Sequence, residues 1–317
     1  DCVRIEEENL LKYVNGSEEW MLQLVSQAEI VAGRIHDVEY RKRVEEQRKT
    51  ELLGKPLHGR FFNSTDVNEQ GNAIAGPRSW EWVRSGYMTK STEAYLFAAQ
   101  EQALRTNAVR AKIYREEDED GTVVSGLCRL CKAKTETVAH IIGCCPVLTG
   151  TAITRRHDKM GSRIHWELCK KYGVECSSRW YEHNPQAVSR DALGDIIIYW
   201  NQHIQTATPV YHNKPDVVVA NAKAKLWTII DFAVPLDHNI VLKEGEKLDT
   251  YDKLAQEVRK TYGVRTEIIP IVVGALGMIP TRLPEYVQKL GIPDVVGRLQ
   301  TTALLGTRRI LKNVHSL

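Results

Sequence analysis

The chain has 317 residues, of which 43% are hydrophobic, and a formal net charge of +3 at neutral pH. This length accommodates about two domains, and the hydrophobic content excludes an intrinsically disordered chain. The longest apolar runs, 196–200 and 268–276, are much shorter than the roughly 20 residues that cross a bilayer, so we expect no membrane span. The charge is too small to indicate a nucleic-acid partner by itself, and local clusters of Lys and Arg have to decide that question.

Helices are predicted for the first part of the chain, where apolar residues recur at helical spacing. In chain order we expect one or two helices over 18–53, a Gly-rich loop over 54–76, a short helix over 79–86 and a longer helix over 91–115. Ser91 is the expected N-cap of that longer helix. The acidic run 116–120, followed by Gly121, predicts the end of the helix and a domain boundary.

An α/β arrangement with one mixed sheet is predicted for the remainder of the chain. A helix over 154–172 is expected to close at Gly173. The expected strands cover 179–182, 195–199, 217–220, 226–234 and 265–273, and the later helices cover 246–262, 282–290 and 295–314. We therefore divide the chain into a helical region (1–120), a cysteine-rich segment (121–150) and an α/β domain with C-terminal helices (151–317).

The chain begins Asp-Cys-Val-Arg, with no initiating Met and no secretory leader, and we expect it to be a fragment of a longer polypeptide. It has seven cysteines, and four of them crowd with a histidine between positions 128 and 145. An odd count with such clustering is unlike the disulfide framework of a secreted protein. It favours an intracellular metal site.

Three cysteines and one histidine have the spacing of a zinc site. Cys128 and Cys131 are separated by two residues and can bind one ion from a single tight turn, and His140 with Cys145 can complete a tetrahedron. Cys144 is the alternative fourth ligand. Four protein ligands would close the site, so its predicted role is structural. The alternative is that these are ordinary buried cysteines.

Two aspartates are predicted to converge at one end of a hairpin. Asp216 stands at the start of strand 217–220, Asp231 closes the next strand, and 221–225 forms the turn between them. Two carboxylates in an apolar setting repel one another, and Mg²⁺ or Mn²⁺ would remove that conflict and activate a water for attack on a phosphate. The alternative is that each Asp merely ends or begins a strand, although Asp is disfavoured there.

A lysine is the usual third member of such a site, where it stabilises developing charge. Ala233 stands two positions after Asp231, so the lysine is not on that strand, and we expect Lys247 to enter from the helix over 246–262. Tyr251 lies one turn further along the same helix face. Glu167 is a candidate for an additional carboxylate.

These motifs, in this order, resemble the C-terminal region of site-specific non-LTR retrotransposons that carry a restriction-like endonuclease. The resemblance covers roughly 127–279. It rests on Cys-x2-Cys-x8-His-x4-Cys-Pro, on Arg155-Arg156-His157-Asp158, on Lys214-Pro215-Asp216 with Asp231, and on Lys247 with Tyr251. Upstream segments such as Ser79-Trp-Glu-Trp also resemble the linker that follows the reverse transcriptase in these elements.

The resemblance implies a restriction-endonuclease-like mixed β-sheet flanked by helices, with a CCHC zinc knuckle before it. It also implies that Asp216 and Asp231 hold the catalytic metal, that Lys247 is the catalytic lysine and that Tyr251 belongs to the same segment, in which Thr250 stands where a second lysine is usual. The implied activity is nicking of target DNA in the nucleus, so that a reverse transcriptase absent from this chain can prime on the free 3′ end. DNA and possible element RNA are the implied partners.

Nucleic-acid contacts are expected from basic side chains near the knuckle. The candidates are Arg105, Arg110, Lys112, Arg155, Arg156 and His157. His157 could contact either DNA or the carboxylate site. Trp80 and Trp82 could stack on bases, or pack in a helical core. The alternative to an active nuclease is a catalytically inactive nucleic-acid-binding remnant of such an element.

Overall fold

A computed structural model describes residues 36–53, Phe61 and residues 74–317. The chain divides between Gly59 and Arg60 into two units. In the first unit, α1 (His36–Leu53) lies within the segment predicted as helical. The rest of that segment and most of the predicted loop over 54–76 lie outside the described residues.

The second unit contains one mixed five-stranded sheet, as predicted. Its strands are β1 (Val188–Arg190), β2 (Ile196–Trp200), β3 (Val217–Asn221), β4 (Leu226–Ala233) and β5 (Arg265–Val272), and they lie in that order. Strands β1 to β4 pair antiparallel, and β5 pairs parallel to β4. A parallel partner needs a crossover, which a long helix between β4 and β5 provides.

Helices cover both faces of this sheet. The main helices are α2 (Lys90–Gln100), α3 (Thr154–Tyr172), α4 (Ile240–Tyr262), α5 (Leu283–Lys289) and α6 (Val296–His315). On one face α3, α5 and α6 pack with Val217, Val219 and Ile230, and on the other α4 packs with Val218 and Ile229. Because both faces are buried, β3 and β4 are apolar almost throughout and do not alternate between polar and apolar residues.

Helix α3 lies close to the sheet at Gly161. A Cβ atom built at this position would lie 2.7 Å from the Trp200 ring and 2.9 Å from the Phe232 ring. Real Cβ atoms essentially never approach so closely, so only glycine fits here without movement of the aromatic rings.

The strand expected over 179–182 is wrong. This segment contains a single 3-10 turn, Trp180–Glu182, and the Arg163 guanidinium lies 4.6 Å from the centre of the Trp180 ring. The aromatic, β-favouring composition is therefore used for a cation–π contact with α3 and not for strand pairing. The short strand β1 was not predicted.

The long helix expected over 91–115 is also wrong in its bounds. The N-cap of α2 is Thr89 and not Ser91, two positions earlier than expected; the Thr89 hydroxyl accepts a hydrogen bond from the Thr92 amide, and the helix ends at Gln100. Thr106 then caps a separate short helix, Asn107–Val109. The predicted helix is divided because Thr89 and Thr106 each cap the start of a separate helix. The segment 79–86 likewise forms two short helices, Gly76–Ser79 and Glu81–Arg84.

Helix α3 ends at Gly173 as expected, and α4 begins at Ile240, before its predicted start. Among the described helices, none is long and apolar enough to cross a membrane.

Candidate functional site

Asp216 and Asp231 meet at one end of the β3–β4 hairpin. Val217 pairs with Ile230 across the two strands, so the next pair outward is Asp216 opposite Asp231. Directly opposed residues on antiparallel strands place their side chains on the same face. The Phe232 amide also donates a hydrogen bond to Oδ2 of Asp216 at 2.8 Å, which ties this carboxylate to the end of β4.

Helix α4 supplies both partners of the buried Asp231 carboxylate. The Lys247 ammonium forms an ion pair with Oδ2 of Asp231, and the Tyr251 hydroxyl donates to Oδ1 at 2.8 Å. Lys247 and Tyr251 are four positions apart, so they project from the same face of the helix. The structure thus brings the four predicted catalytic residues together.

His157 completes the cluster from α3. Its Nε2 lies 3.3 Å from Oδ2 of Asp216, and its Nδ1 lies 3.1 Å from Oδ1 of Asp158. Burial opposes the charged imidazolium, but hydrogen bonding to Asp216 and the charges of both aspartates raise the pKa of His157 to about 9. His157 is therefore protonated at neutral pH and lies at the carboxylates.

The two aspartates have unequal proton affinities. Burial raises the pKa of Asp231, and the neighbouring Asp216 charge raises it further, beyond what Lys247 and Tyr251 offset. Burial also opposes the charge on Asp216, but the hydrogen bond and charge of His157 hold its pKa below the ordinary value. Both carboxyls are buried, so the difference arises because His157 lies beside Asp216 while the Asp216 charge acts on Asp231.

This donor set fits a divalent cation. One carboxylate is nearly inaccessible and the other reaches solvent, with 4% of the Asp231 side chain and 20% of the Asp216 side chain exposed. A hard cation such as Mg²⁺ commonly takes one or two carboxylates and leaves its other positions to water and phosphate oxygens. Burial and, after it, the Asp216 charge raise the pKa of Asp231, and a bound cation would offset both effects.

The four residues predicted as zinc ligands converge on one point. The Sγ atoms of Cys128 and Cys145 are 4.0 Å apart, and Sγ of Cys131 lies 3.4 Å from Nε2 of His140. The four ligand atoms all lie within 4.8 Å of one another, and the cluster could bind a metal such as zinc. Cys144 is exposed and stands outside this group, so the structure favours Cys145 as the fourth ligand.

The surroundings of Cys131 and His140 favour the protonation states that bind a metal. The amides of Ala133 and Lys134 face Cys131 and lower the pKa of its thiol, which favours the thiolate that a metal binds. Burial lowers the pKa of His140, so this imidazole is neutral and its lone pair is free for a metal.

The predicted phosphate-binding residues fall into two groups. Arg105 and Arg110 both pair with Glu116, at 2.9 Å and 2.7 Å, so their charges are partly neutralised. Lys112 and Arg155 are exposed. Only exposed basic side chains with unneutralised charge contribute fully to phosphate attraction.

Arg156 is buried, so the prediction that it binds phosphate is wrong. Its guanidinium donates to the Thr307 hydroxyl at 2.9 Å and to the carbonyl oxygens of Ile142 and Val234 at 2.9 Å and 3.0 Å. Arg156 therefore joins the knuckle region to β4 and α6 and does not face solvent.

The remaining candidates lie away from the carboxylates. Glu167 pairs with Arg163 at 3.0 Å and with Arg298 at 3.1 Å. Trp82 is fully buried, and Trp80 packs against the rings of Phe61 and Phe97. Both tryptophans serve the helical core.

A groove between α3 and α6 was not expected from the sequence. It has a volume of about 630 Å³, and its basic lining residues include Arg155, Lys159 and Arg309, with Trp180 and Leu305 also in its wall. The i, i+4 spacing of Arg155 and Lys159 could have predicted a basic face on α3. Arg309, the third basic residue, is on α6 and too distant in sequence for its approach to be predicted.

No protein-family model matches the chain, and no curated protein matches it.

Proposed function

We propose that this chain is a metal-dependent DNA endonuclease that nicks its target, with a structural zinc knuckle before the nuclease domain. The observation that carries the proposal is the opposition of Asp216 and Asp231 at one hairpin end, with the Lys247 ammonium on Asp231. We further propose that it derives from a non-LTR retrotransposon protein with a restriction-like endonuclease and acts in the nucleus, because its motifs follow the order found in that family.

Mg²⁺ or Mn²⁺, held by Asp216 and Asp231, would activate a water and stabilise charge on the scissile phosphate. Lys247 is placed to neutralise the negative charge that develops on that phosphate, since its side chain is 27% exposed beside the carboxylates. Tyr251 keeps Asp231 oriented through its hydroxyl. His157, protonated at neutral pH, adds a positive charge next to Asp216 and so favours an approaching phosphate.

The groove between α3 and α6 is the proposed path of the DNA backbone. Its three exposed basic residues, Arg155, Lys159 and Arg309, belong to helices whose other faces pack on the sheet, so their charges point away from the core. Helix α3 carries both the groove residue Arg155 and His157, which contacts Asp216, so one helix connects the groove to the carboxylate site. Such contacts position a duplex without reading its sequence.

The knuckle is proposed to hold one Zn²⁺ through Cys128, Cys131, His140 and Cys145. With four protein ligands it would have no position for a catalytic water, so its contribution is to folding. Arg129 lies beside it, pairs with Glu136 at 2.8 Å and donates to the Val314 carbonyl at 3.2 Å, which fixes the knuckle against α6.

The test is a nicking assay on supercoiled plasmid and on a random-sequence duplex pool, with Mg²⁺ or Mn²⁺ added. Asp216→Asn removes the charge of a metal ligand at nearly constant size. We expect it to abolish nicking and to leave DNA binding unchanged in a gel-shift assay. Asp249→Asn is the matched control, because Asp249 is an exposed carboxylate on the same helix as Lys247. This control is expected to nick like the wild type.

Two results contradict the proposal. Undiminished nicking by Asp216→Asn would exclude the carboxylate pair as the catalytic site. DNA binding by the wild type without nicking in either metal would leave an inactive nucleic-acid-binding remnant as the better description.

A further inference from the structure

A second cluster of metal-ligand residues lies outside the two sites described above. His165 and Cys169 are four positions apart on α3, and His183 lies in the connection between α3 and β1. Nδ1 of His165 lies 2.8 Å from Nε2 of His183 and 3.4 Å from Sγ of Cys169. The three side chains are buried, with relative exposures of 0%, 0% and 8% for His165, Cys169 and His183.

Hydrogen bonding among these three groups is incomplete. Nε2 of His165 is buried and has no hydrogen-bond partner among the described residues. A neutral imidazole nitrogen is either one donor or one acceptor. Nδ1 of His165 therefore cannot form a strong hydrogen bond with both His183 and the Cys169 thiol, so one of these two buried contacts is weak. A bound cation would use a lone pair from each of the three.

We propose that His165, Cys169 and His183 form a second divalent-metal site, with Zn²⁺ as the fitting ion. Imidazole nitrogens and thiolates are the ligands that zinc commonly takes in proteins. One ligand atom from each of the three side chains lies within 4.8 Å of the other two.

Zinc requires only a small opening of the cluster. Ligand nitrogens about 2.0–2.1 Å from a tetrahedral ion stand roughly 3.3 Å apart. The two imidazole nitrogens here are 2.8 Å apart, so the His183 ring has to withdraw by about half an ångström. His183 belongs to an irregular connection, whereas the T-shaped contact of His165 with Trp200 fixes the other ring. We therefore expect the connection that carries His183, and not α3, to move when the ion binds.

This site would fasten the connection 174–187, which has little regular structure of its own, to α3. Long irregular connections in a compact domain usually need such a constraint. The other attachments of this segment include the Trp166 indole, which donates to the Ser177 carbonyl at 2.8 Å, and the Arg163–Trp180 contact. Trp180 is also a wall of the groove between α3 and α6, so the proposed ion would fix that wall.

The first test is metal content of the wild-type full chain, purified without a polyhistidine tag and equilibrated in chelator-treated buffer. We expect two zinc ions per chain by mass spectrometry. In a crystal, the anomalous difference map at the zinc edge is expected to show one peak among Cys128, Cys131, His140 and Cys145 and another among His165, Cys169 and His183. A peak at the first position alone would overturn the proposal without any variant.

Matched variants then assign the two ions. His183→Ala and Cys128→Ser are each expected to lose one zinc, and His212→Ala, an exposed histidine, is expected to retain both. Retention of both ions by a folded His183→Ala chain would overturn the second site. DNA nicking is not the readout, so failure of the endonuclease proposal leaves this test unaffected.

Discussion

The Tyr251 hydroxyl donates a hydrogen bond to Oδ1 of Asp231 at 2.8 Å, while Lys247, one helical turn earlier, pairs with the other oxygen of the same carboxylate. One face of α4 therefore holds both oxygens of a buried group and fixes its orientation relative to Asp216. The burial and charge of this arrangement raise the pKa of Tyr251 well above its ordinary range, so the hydroxyl keeps its proton and remains a donor.

Tyr251→Phe is expected to lower the free energy of unfolding by about 1–3 kcal/mol, because the buried Asp231 oxygen loses a hydrogen bond. Urea unfolding at pH 7 measures this. Tyr262→Phe is the matched control, since Tyr262 lies on the same helix but is 43% exposed and bonds only to the Gln205 carbonyl at 2.8 Å. Equal losses in the two variants would contradict the role assigned to Tyr251.

Lys247→Ala is expected to reduce the rate of nicking by about 10²–10³, because a positive charge next to the transferring phosphate is lost. DNA binding is expected to change little. Lys243→Ala, an exposed position one turn earlier that pairs with Glu246, is expected to leave the rate unchanged. A rate insensitive to Lys247→Ala would exclude it as a catalytic residue.

Cys145→Ser is expected to abolish zinc binding at the knuckle and to destabilise the fold, whereas Cys144→Ser is expected to bind zinc as the wild type does. Cys145 is fully buried and points at Cys128, and Cys144 is exposed. Zinc content before and after dialysis against a chelator distinguishes the two. The reverse result would show that Cys144 is the fourth ligand.

Asp237 predicts a pH-dependent difference in stability. Burial raises its pKa to about 6, although the amides of Leu276 and Met278 donate to its carboxylate at 2.8 Å and 3.0 Å. Because the folded pKa exceeds the unfolded value of about 3.9, the contribution of this titration to stability is fully present below that value and is lost as pH rises through 6.

The free-energy difference between the wild type and Asp237→Asn should accordingly fall by up to about 3 kcal/mol between pH 4 and pH 7. Thermal or urea unfolding of both proteins at several pH values measures it. A difference that stays constant or grows with pH would show that Asp237 is charged in the folded protein at low pH.

Arg155→Ala and Arg309→Ala should each weaken DNA binding and reduce the slope of log affinity against log salt by about 1. Both residues line the groove between α3 and α6. Lys289→Ala, an exposed lysine on α5, controls for the loss of one positive charge elsewhere. Salt slopes unchanged in both groove variants would place the DNA on another surface.

Sequence patterns were informative where the decisive contacts are local. The apolar runs of β3 and β4 and the Asn221–Lys225 turn define the hairpin, and the hairpin register sets Asp216 opposite Asp231. The spacing of Lys247 and Tyr251 likewise follows from one helix. These relationships depend on neighbours within a few dozen residues.

Contacts between distant segments could not be inferred in the same way. Arg156 was expected at the surface because it stands in a basic run, but Thr307 on α6 supplies its buried partner 151 positions later. The cluster of His165 with His183 was not predicted, because an irregular connection determines which side chain returns to α3. Single-sequence periodicity does not contain such information.

Because Gly161 has no side chain, α3 packs close to the sheet, and this brings His157 near the Asp216 carboxylate. His157 lies one helical turn before Gly161, and its Nε2 meets both the Asp216 carboxylate and, at 3.2 Å, the Phe232 carbonyl. An added methyl group at position 161 would displace the Phe232 and Trp200 rings or lift the helix, and either movement lengthens the contact of His157 with Asp216. The close packing of α3 on the sheet at Gly161 thus supports the contact by which His157 lowers the pKa of the Asp216 carboxyl.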